Sequence, residues 1–165
     1  MDAAVVSGAA VVTTALSELR EILAEVVDPE IPVLTIADLG ILRDVVESAD
    51  GEVVVTITPT YSGCPAMDHL RSEIERVLGE HGRTNVRVVT TYQPAWTTAW
   101  MSNAAKAKLT EYGIAAPRSD ASAPILCPRC SDDASRLVSE FGATACKALR
   151  VCSNCSEPFD HFKEI

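Results

Sequence analysis

The feature that most restricts the fold of this chain is a pair of Cys-x-x-Cys motifs near its C-terminus, Cys127/Cys130 and Cys152/Cys155. Two thiolates at this spacing lie on one tight turn and can bind the same metal ion, and two such turns complete a tetrahedral four-sulfur site. The 21 residues between the motifs slightly exceed the usual zinc pattern, and a hairpin can absorb the difference. The spacing predicts a zinc ribbon with a structural zinc ion; a single iron that carries electrons is the alternative.

The residues between and after the two motifs fit this ribbon. Residues 136–141 and 145–151 are predicted strands on either side of Gly142, and residues 158–162 are a third. Cys146 falls in the second of these strands, and we interpret it as a buried small residue. His161 would serve as a ligand only if a cysteine were missing, and none is.

Cysteine usage and charge narrow the class of protein. Five of the six cysteines lie in the last 39 residues. The chain begins without a basic secretory signal, and because disulfides are rare in proteins that are not secreted, these cysteines favour metal chemistry. No apolar run is long enough to span a bilayer, so we expect a cytoplasmic protein without a membrane partner. The net charge of −9 argues against general nucleic-acid binding, which requires cations that neutralise phosphates.

A second feature is the corner formed by residues 58–65, which ends in Gly63-Cys64-Pro65. The β-branched residues before it predict a strand over 52–58, and the apolar spacing after it predicts a helix over 67–78. Proline is common in the first helical turn, so Cys64 is predicted at a helix N-terminus, where the helix dipole and free N–H groups favour a thiolate. The alternative is a small residue buried at the start of the helix.

Acidic residues are concentrated in a segment upstream of this corner. Asp28-Pro29-Glu30-Ile31-Pro32 is held extended by its two prolines, and Asp38-Leu39-Gly40 follows shortly after. The simplest interpretation is a helix terminator followed by a loop, because a residue before proline is pushed out of helical geometry. The density of Asp and Glu is nevertheless unusual for a connector.

The remaining periodicity completes an α+β prediction. We expect helices over 13–27, from about 67 to 79, and from Pro94 to about Tyr112, with Trp96 and Trp100 on one face of the last helix in the core or at an interface. Strands over 41–47 and 52–58 form a hairpin, and 86–92 is the third strand. The predicted order αββαβα builds a small three-stranded mixed sheet. The predicted division is residues 1–112, a linker over 113–124, and the ribbon over 125–165.

These motifs together resemble the iron–sulfur cluster assembly domain family. The resemblance covers about residues 13–112 and is carried by Asp28-Pro29-Glu30-Ile31-Pro32, Asp38-Leu39-Gly40 and the corner that ends at Cys64-Pro65. With the fused ribbon and the segment from Tyr92 to Met101, the whole chain resembles the PaaD-like D subunits of bacterial phenylacetyl-CoA epoxidases. These are encoded with a multicomponent oxygenase of aerobic phenylacetate degradation.

The resemblance implies an accessory maturation factor rather than an enzyme. It implies that Cys64 handles an iron–sulfur cluster or metal ion in transit, that Asp28, Glu30 and Asp38 accompany it in the family motif, and that a transient iron–sulfur cluster is bound. The implied partners are the di-iron oxygenase subunit or the reductase subunit, which carries an iron–sulfur cluster and flavin. One such cysteine per protomer also fits a cluster shared across a homodimer. The ribbon is interpreted as a client-docking or structural module.

Three other functions remain open at this point. Iron in the four-cysteine site would make the protein an electron carrier for the oxygenase. A thiol enzyme with Cys64 as nucleophile would need a base, but His69 is five residues on and does not share its helix face, and His81 and His161 have no evident pairing. A nucleic-acid-binding ribbon fits the acidic composition least.

Overall fold

The computed structural model describes residues 8–118, 120 and 122–165, and side chains from residue 16 onward. It is an α+β fold, as predicted. Its elements, in chain order, are α1 (Gly8–Leu23), β1 (Leu42–Glu47), β2 (Val53–Ile57), α2 (Ala66–Glu80), β3 (Val86–Thr90), a 3₁₀ turn (Thr98–Trp100), α3 (Asn103–Glu111), β4 (Ile114–Ala115), β5 (Ser135–Ser139), β6 (Lys147–Cys152) and β7 (Pro158–Phe162). Within these described residues, no helix has the length and apolarity needed to cross a membrane.

The first sheet has the predicted mixed topology, in the order β1-β2-β3. β1 and β2 pair antiparallel, whereas β3 lies parallel to β2 after the chain crosses over through α2. Alternate residues of the central strand, Val53, Val55 and Ile57, are fully buried, because successive side chains of a strand point to opposite faces. α1 contacts α2 and β1, and together they cover the core.

The first helix begins and ends earlier than the predicted 13–27, at Gly8 and Leu23. It ends because the next backbone bonds are of the tighter i→i−3 kind: the Glu25 N–H donates to the Ile22 carbonyl and the Val26 N–H to the Leu23 carbonyl. The chain then turns into the acidic segment.

The prediction of one helix from Pro94 to Tyr112 is wrong. Ser102 interrupts it, because its hydroxyl oxygen accepts from the Ala105 N–H at 3.0 Å and so caps the start of α3. Trp96 and Trp100 consequently lie on no common helix face. Trp96 is buried in the core, as expected, while Trp100 lies under the Arg43 guanidinium at 3.6 Å.

The ribbon sheet has the order β4-β7-β6-β5 and contains all three predicted strands. β5, β6 and β7 pair antiparallel, and β4 adds to the edge parallel to β7. Ile114 and Ala115, which form β4, fall inside the predicted linker 113–124, so the start of that segment is not a free connector. Both side chains are buried, and this apolar burial explains why the two residues join the sheet.

One hydrophobic core joins the ribbon to the N-terminal sheet. Phe162 of β7 and Cys146 belong to the same buried cluster as Ile57 and Leu70 of the first sheet and α2. The ring of Phe162 lies 6.1 Å from the ring of Trp96. The division of the chain at residues 113–124 stays a prediction.

We expect Gly40→Ala to destabilise the protein more than Gly51→Ala. Both glycines have positive φ, +68° and +81°, so an alanine costs about 1–2 kcal/mol at either position. Only at Gly40 would the new methyl meet another group, the Trp100 Cβ at 2.8 Å, which adds about 1–3 kcal/mol. Thermal unfolding midpoints at saturating zinc measure the difference, and equal shifts for the two variants would contradict it.

Candidate functional site

Cys64 lies at the corner between β2 and α2, as the sequence predicts. It directly precedes Pro65, the N-cap of α2, and follows Gly63, whose φ of +84° makes the turn. The Cys64 N–H donates to the Tyr61 carbonyl at 3.4 Å. The Cys64 side chain is partly buried against the main core, so its sulfur is held in a defined place while a path to solvent stays open.

The pKa of the Cys64 thiol is raised, although its place at a helix N-terminus was expected to favour a thiolate. Burial is the main cause that raises its pKa, and the negative charges of Glu30 and Asp28 raise it further. A hydrogen bond from the Ala66 N–H, at the start of the helix, lowers the pKa but does not compensate. The helix start therefore lowers the pKa of Cys64, as predicted. Burial and the charges of Glu30 and Asp28 raise the pKa by more.

Asp28 and Glu30 have different roles in the acidic loop. Asp28 is 7% exposed, and its Oδ1 accepts from the N–H groups of Glu30 and Ile31, both at 2.8 Å, so it fixes the turn. The Glu30 carboxylate has no hydrogen-bond or ion-pair partner within the part of the chain that the structure describes. Burial and the neighbouring Asp28 raise the pKa of Glu30. Glu30 thus keeps a carboxylate without a partner, and its charge raises the pKa of Cys64.

Asp38 is held by other partners. Its Oδ2 accepts from the Thr35 N–H at 3.1 Å and from the Lys108 ammonium at 2.7 Å, while its own N–H donates to the Thr35 hydroxyl. Burial opposes ionisation of Asp38, but the bonds from Lys108 and Thr35 outweigh it and lower the pKa of its carboxyl. Through these bonds, Asp38 stabilises the loop that leads to Gly40.

Two further residues of the site were not recognised as such from the sequence. The Tyr61 hydroxyl interacts with Cys64, and its pKa is raised by burial and then by Cys64, Glu30 and Cys146. Cys146 is buried, as expected, with 5% exposure and its Sγ 3.0 Å from the Thr144 hydroxyl. What the sequence did not predict is that Cys146 belongs to the same core on which Cys64 packs, and the only signal was that it was left over from the metal motifs.

The three histidines do not provide a base for Cys64. His69 is exposed on α2, and the Nδ1 of His81 lies 2.9 Å from a backbone carbonyl of its own helix. His161 is buried in the ribbon, with its Nε2 3.4 Å from a Glu164 carboxylate oxygen. The cysteine–histidine pair that a thiol nucleophile needs is therefore missing at Cys64 among the residues described.

The four ribbon cysteines converge as their spacing predicts. Their sulfur atoms all lie within 4.8 Å of one another. The Sγ atoms of Cys127 and Cys155 are 3.7 Å apart, and those of Cys130 and Cys152 are 3.6 Å apart. Metal–sulfur bonds of about 2.3 Å in a tetrahedron place sulfurs about 3.8 Å apart. The donor set therefore fits a tetrahedral metal ion that prefers thiolates.

The two Cys-x-x-Cys turns share one backbone geometry that favours metal binding. The residue after each second cysteine, Ser131 or Ser156, has a left-handed φ of 60° or 61°. Its N–H donates to the carbonyl of the first cysteine, at 2.8 Å in the first turn and 3.1 Å in the second. In the second turn the Cys155 N–H also donates to the Cys152 Sγ, and this bond is the largest cause that lowers the pKa of Cys152, to about 7, while burial and the neighbouring thiols raise the pKa of Cys155.

Comparisons with known proteins match both halves of the chain. An "Iron-sulfur cluster assembly protein" family model covers residues 16–92, and a "PaaD zinc beta ribbon domain" model covers residues 115–163. The chain is 49% identical to the D subunit of the "Putative 1,2-phenylacetyl-CoA epoxidase" of Escherichia coli (strain K12), over 90% of this chain and 92% of that protein. It is 38% identical to the "Fe-S protein maturation auxiliary factor" of Porphyromonas gingivalis, over 56% of this chain and 88% of that protein.

The fold of the N-terminal part has been seen before. A crystal structure of a DUF59 domain of unknown function from Bacillus anthracis superposes with a TM-score of 0.58 at 29% identity, covering 62% of this chain and 97% of that one. The near-complete match to a D subunit and the two successive family models give one conclusion. The chain belongs to the PaaD-like family of phenylacetyl-CoA epoxidase D subunits, in which an iron–sulfur cluster assembly domain is followed by a zinc β-ribbon.

Proposed function

We propose that this protein is an accessory maturation factor of a phenylacetyl-CoA epoxidase, and that it helps to load iron or an iron–sulfur cluster into an oxygenase or reductase subunit. The observation that carries the proposal is the partly buried Cys64 thiol at the start of α2, whose pKa is raised by burial and by the negative charge of Glu30. The names of the relatives support the same role, because one is a D subunit and another an Fe-S maturation factor.

The charge state of Cys64 suits a carrier better than a nucleophile. A nucleophile must be a thiolate before its substrate arrives, whereas a carrier can give up its proton as the metal binds. Glu30 supplies negative charge that opposes a resting thiolate and attracts a cation. In this proposal Cys64 and Glu30 bind the iron cargo, while Asp28 and Asp38 keep the loops around it in place.

We also propose that zinc occupies the four-cysteine site as a structural ion. Among the described residues, the buried cluster around that site consists of four, Ala115, Cys127, Cys152 and Phe159, and two of them are the proposed ligands. So small a cluster cannot stabilise this end of the ribbon alone, whereas a bound metal contributes its binding free energy directly to folding.

Substitution of Cys64 by serine tests the maturation role. Epoxidase subunits purified from cells that carry Cys64→Ser in place of the wild-type protein should contain severalfold less iron and sulfide, because the cargo loses its thiol ligand. Ser62→Ala, two residues away on the exposed side of the same loop, is the matched control and should load normally. Wild-type iron content with Cys64→Ser would contradict the proposal.

Removal of Glu30's charge should make Cys64 more reactive. The raised pKa keeps Cys64 a neutral thiol near pH 7, so its alkylation rate rises with pH. In Glu30→Gln one negative charge is lost, the pKa of Cys64 falls, and the rate–pH profile moves to lower pH, with a severalfold faster reaction near neutrality. Mass spectrometry of the Cys64 peptide measures the rate.

Glu75→Gln provides the control for this measurement. It makes the same charge change at an exposed position on α2, about 16 Å further along the helix, and should leave the profile unmoved. An unchanged profile in Glu30→Gln would show that Glu30 does not act on Cys64.

Metal analysis and chelation test the zinc proposal. We expect one zinc ion per chain and no visible absorption. A strong chelator should abolish amide-exchange protection in β5 and around the cysteine turns, because metal binding is coupled to folding there, while β2 stays protected. Stoichiometric iron with visible absorption would instead support the electron carrier.

A further inference from the structure

A cleft opens where the two parallel strands of the first sheet, β2 and β3, separate. The last hydrogen bond between them in the described part of the chain runs from the Thr91 N–H to the Ile57 carbonyl, at 2.9 Å. Beyond it, the chain after β2 continues towards Cys64 and the chain after β3 towards Trp96, and a space of about 300 Å³ lies between them. Open α/β sheets bind ligands in such a crevice, beyond the carboxyl ends of parallel strands.

The lining of this space, which we call the Tyr92 cleft, is uncharged and largely aromatic. Tyr61 lies on the β2 side, and Tyr92, Ala95 and Trp96 lie on the β3 side. None of the lining side chains is charged, although the chain has a net charge of −9, and Tyr92 is 56% exposed. A charged occupant would lose its hydration here without gaining a partner, so the lining favours an uncharged, apolar group.

Two threonine side chains on the β2 side show that the occupant must also offer hydrogen bonds. Thr58 is 1% exposed, Thr60 is 9% exposed, and both line the cleft. Neither hydroxyl has a hydrogen-bond partner among the described residues. A buried polar group without a partner is destabilising, and each one in a native structure calls for an explanation. A polar group bound in the cleft is such an explanation.

The backbone on both sides of the cleft is also available for pairing. The Thr58 N–H still donates to the Ile41 carbonyl, but the N–H groups of Thr60 and Tyr61 donate to no acceptor in the part of the chain that the structure describes. The same holds for the N–H groups of residues 95–96 on the other side. Backbone groups are obligatory hydrogen-bonding groups, and an extended peptide supplies alternating partners for them, as in strand addition to a sheet.

The cleft also adjoins the functional thiol. The Cys64 N–H donates to the carbonyl of Tyr61 at 3.4 Å, and the side chains of both residues pack on the main core. Three residues of chain, at most about 11 Å, separate the two α-carbons. A molecule bound against Tyr61 is therefore held close to Cys64.

We propose that the Tyr92 cleft binds an extended, uncharged segment of the client subunit, with one apolar side chain packed between Tyr61, Tyr92 and Trp96. This rests on the maturation role proposed above and names the surface that recognises the client. The main chain of the bound segment supplies hydrogen-bond partners to Thr60 and to the free backbone groups of both sides. The client is thereby held beside the thiol that carries its cargo.

Binding of purified epoxidase subunits to the zinc-loaded full-length protein tests this proposal. The apo forms of the oxygenase subunit and the reductase subunit are titrated separately by calorimetry, and wild type should bind one of them. Ala95→Asp should bind that subunit about tenfold more weakly or worse, because the new carboxylate places a charge in an uncharged cleft. Tyr92→Ala should weaken binding severalfold, because it removes aromatic contact area.

Ala99→Asp and Tyr112→Ala are the matched controls. Ala99 is exposed, as Ala95 is, and Tyr112 is 50% exposed, close to the value for Tyr92, but neither lines the cleft. Both variants should bind the subunit as wild type does. Zinc content and the unfolding midpoint verify that every variant is folded.

Amide hydrogen exchange of the wild-type protein provides a measurement that needs no variant. With the subunit bound, the amides of Thr60, Tyr61 and residues 95–96 should gain protection, because they acquire acceptors that they lack in the free protein. The amide of Thr58 already has an acceptor and should change less.

The outcomes separate this proposal from the maturation role. If Ala95→Asp and Tyr92→Ala bind as tightly as wild type, if these amides gain no protection, or if neither subunit binds, the role of the cleft is overturned. The iron content of subunits matured with Cys64→Ser decides the maturation role independently, since that substitution removes the thiol and leaves the cleft in place.

Discussion

The rest of the structure depends on the burial of Trp96. Its side chain is 4% exposed, its Nε1–H donates to the Leu39 carbonyl at 2.8 Å, and its ring meets Phe162 of the ribbon. A buried indole N–H needs such a partner, so this hydrogen bond holds the loop that contains Leu39 against the core. One aromatic side chain therefore links the acidic loops, the first sheet and the ribbon.

Most of the acidic family motif shapes the backbone rather than performing chemistry. Asp28 caps a turn, and Asp38 binds Thr35 and Lys108. Gly40 is required where a left-handed residue passes against Trp100. Of the three motif acids, Glu30 is the one whose carboxylate has no hydrogen bond or ion pair within the described part of the chain. In the proposed maturation role, this free acid would attract the cation in transit.

What the sequence predicted well was local. The spacing of Cys127, Cys130, Cys152 and Cys155 determines the metal site, because each turn is encoded within four residues. The corner at Cys64 follows from adjacent β-branched and helical patterns. The break before α3 was missed because a serine cap outweighs apolar spacing. β4 was missed because two apolar residues give no periodicity, and they join a strand distant in sequence.

The pKa of Cys64 also could not be predicted from local sequence, because it depends on residues that are distant in the chain. Its local sequence correctly indicates a helix start, yet burial and Glu30 come from tertiary packing and reverse the net effect on the pKa. The reversal has a functional consequence. A neutral thiol resists oxidation, since the thiolate is the reactive form, and it lets a metal ion determine when the proton leaves. An enzyme nucleophile would be impaired by the same environment. A carrier, which must bind its cargo reversibly, benefits because the proton competes with the metal and keeps the complex labile.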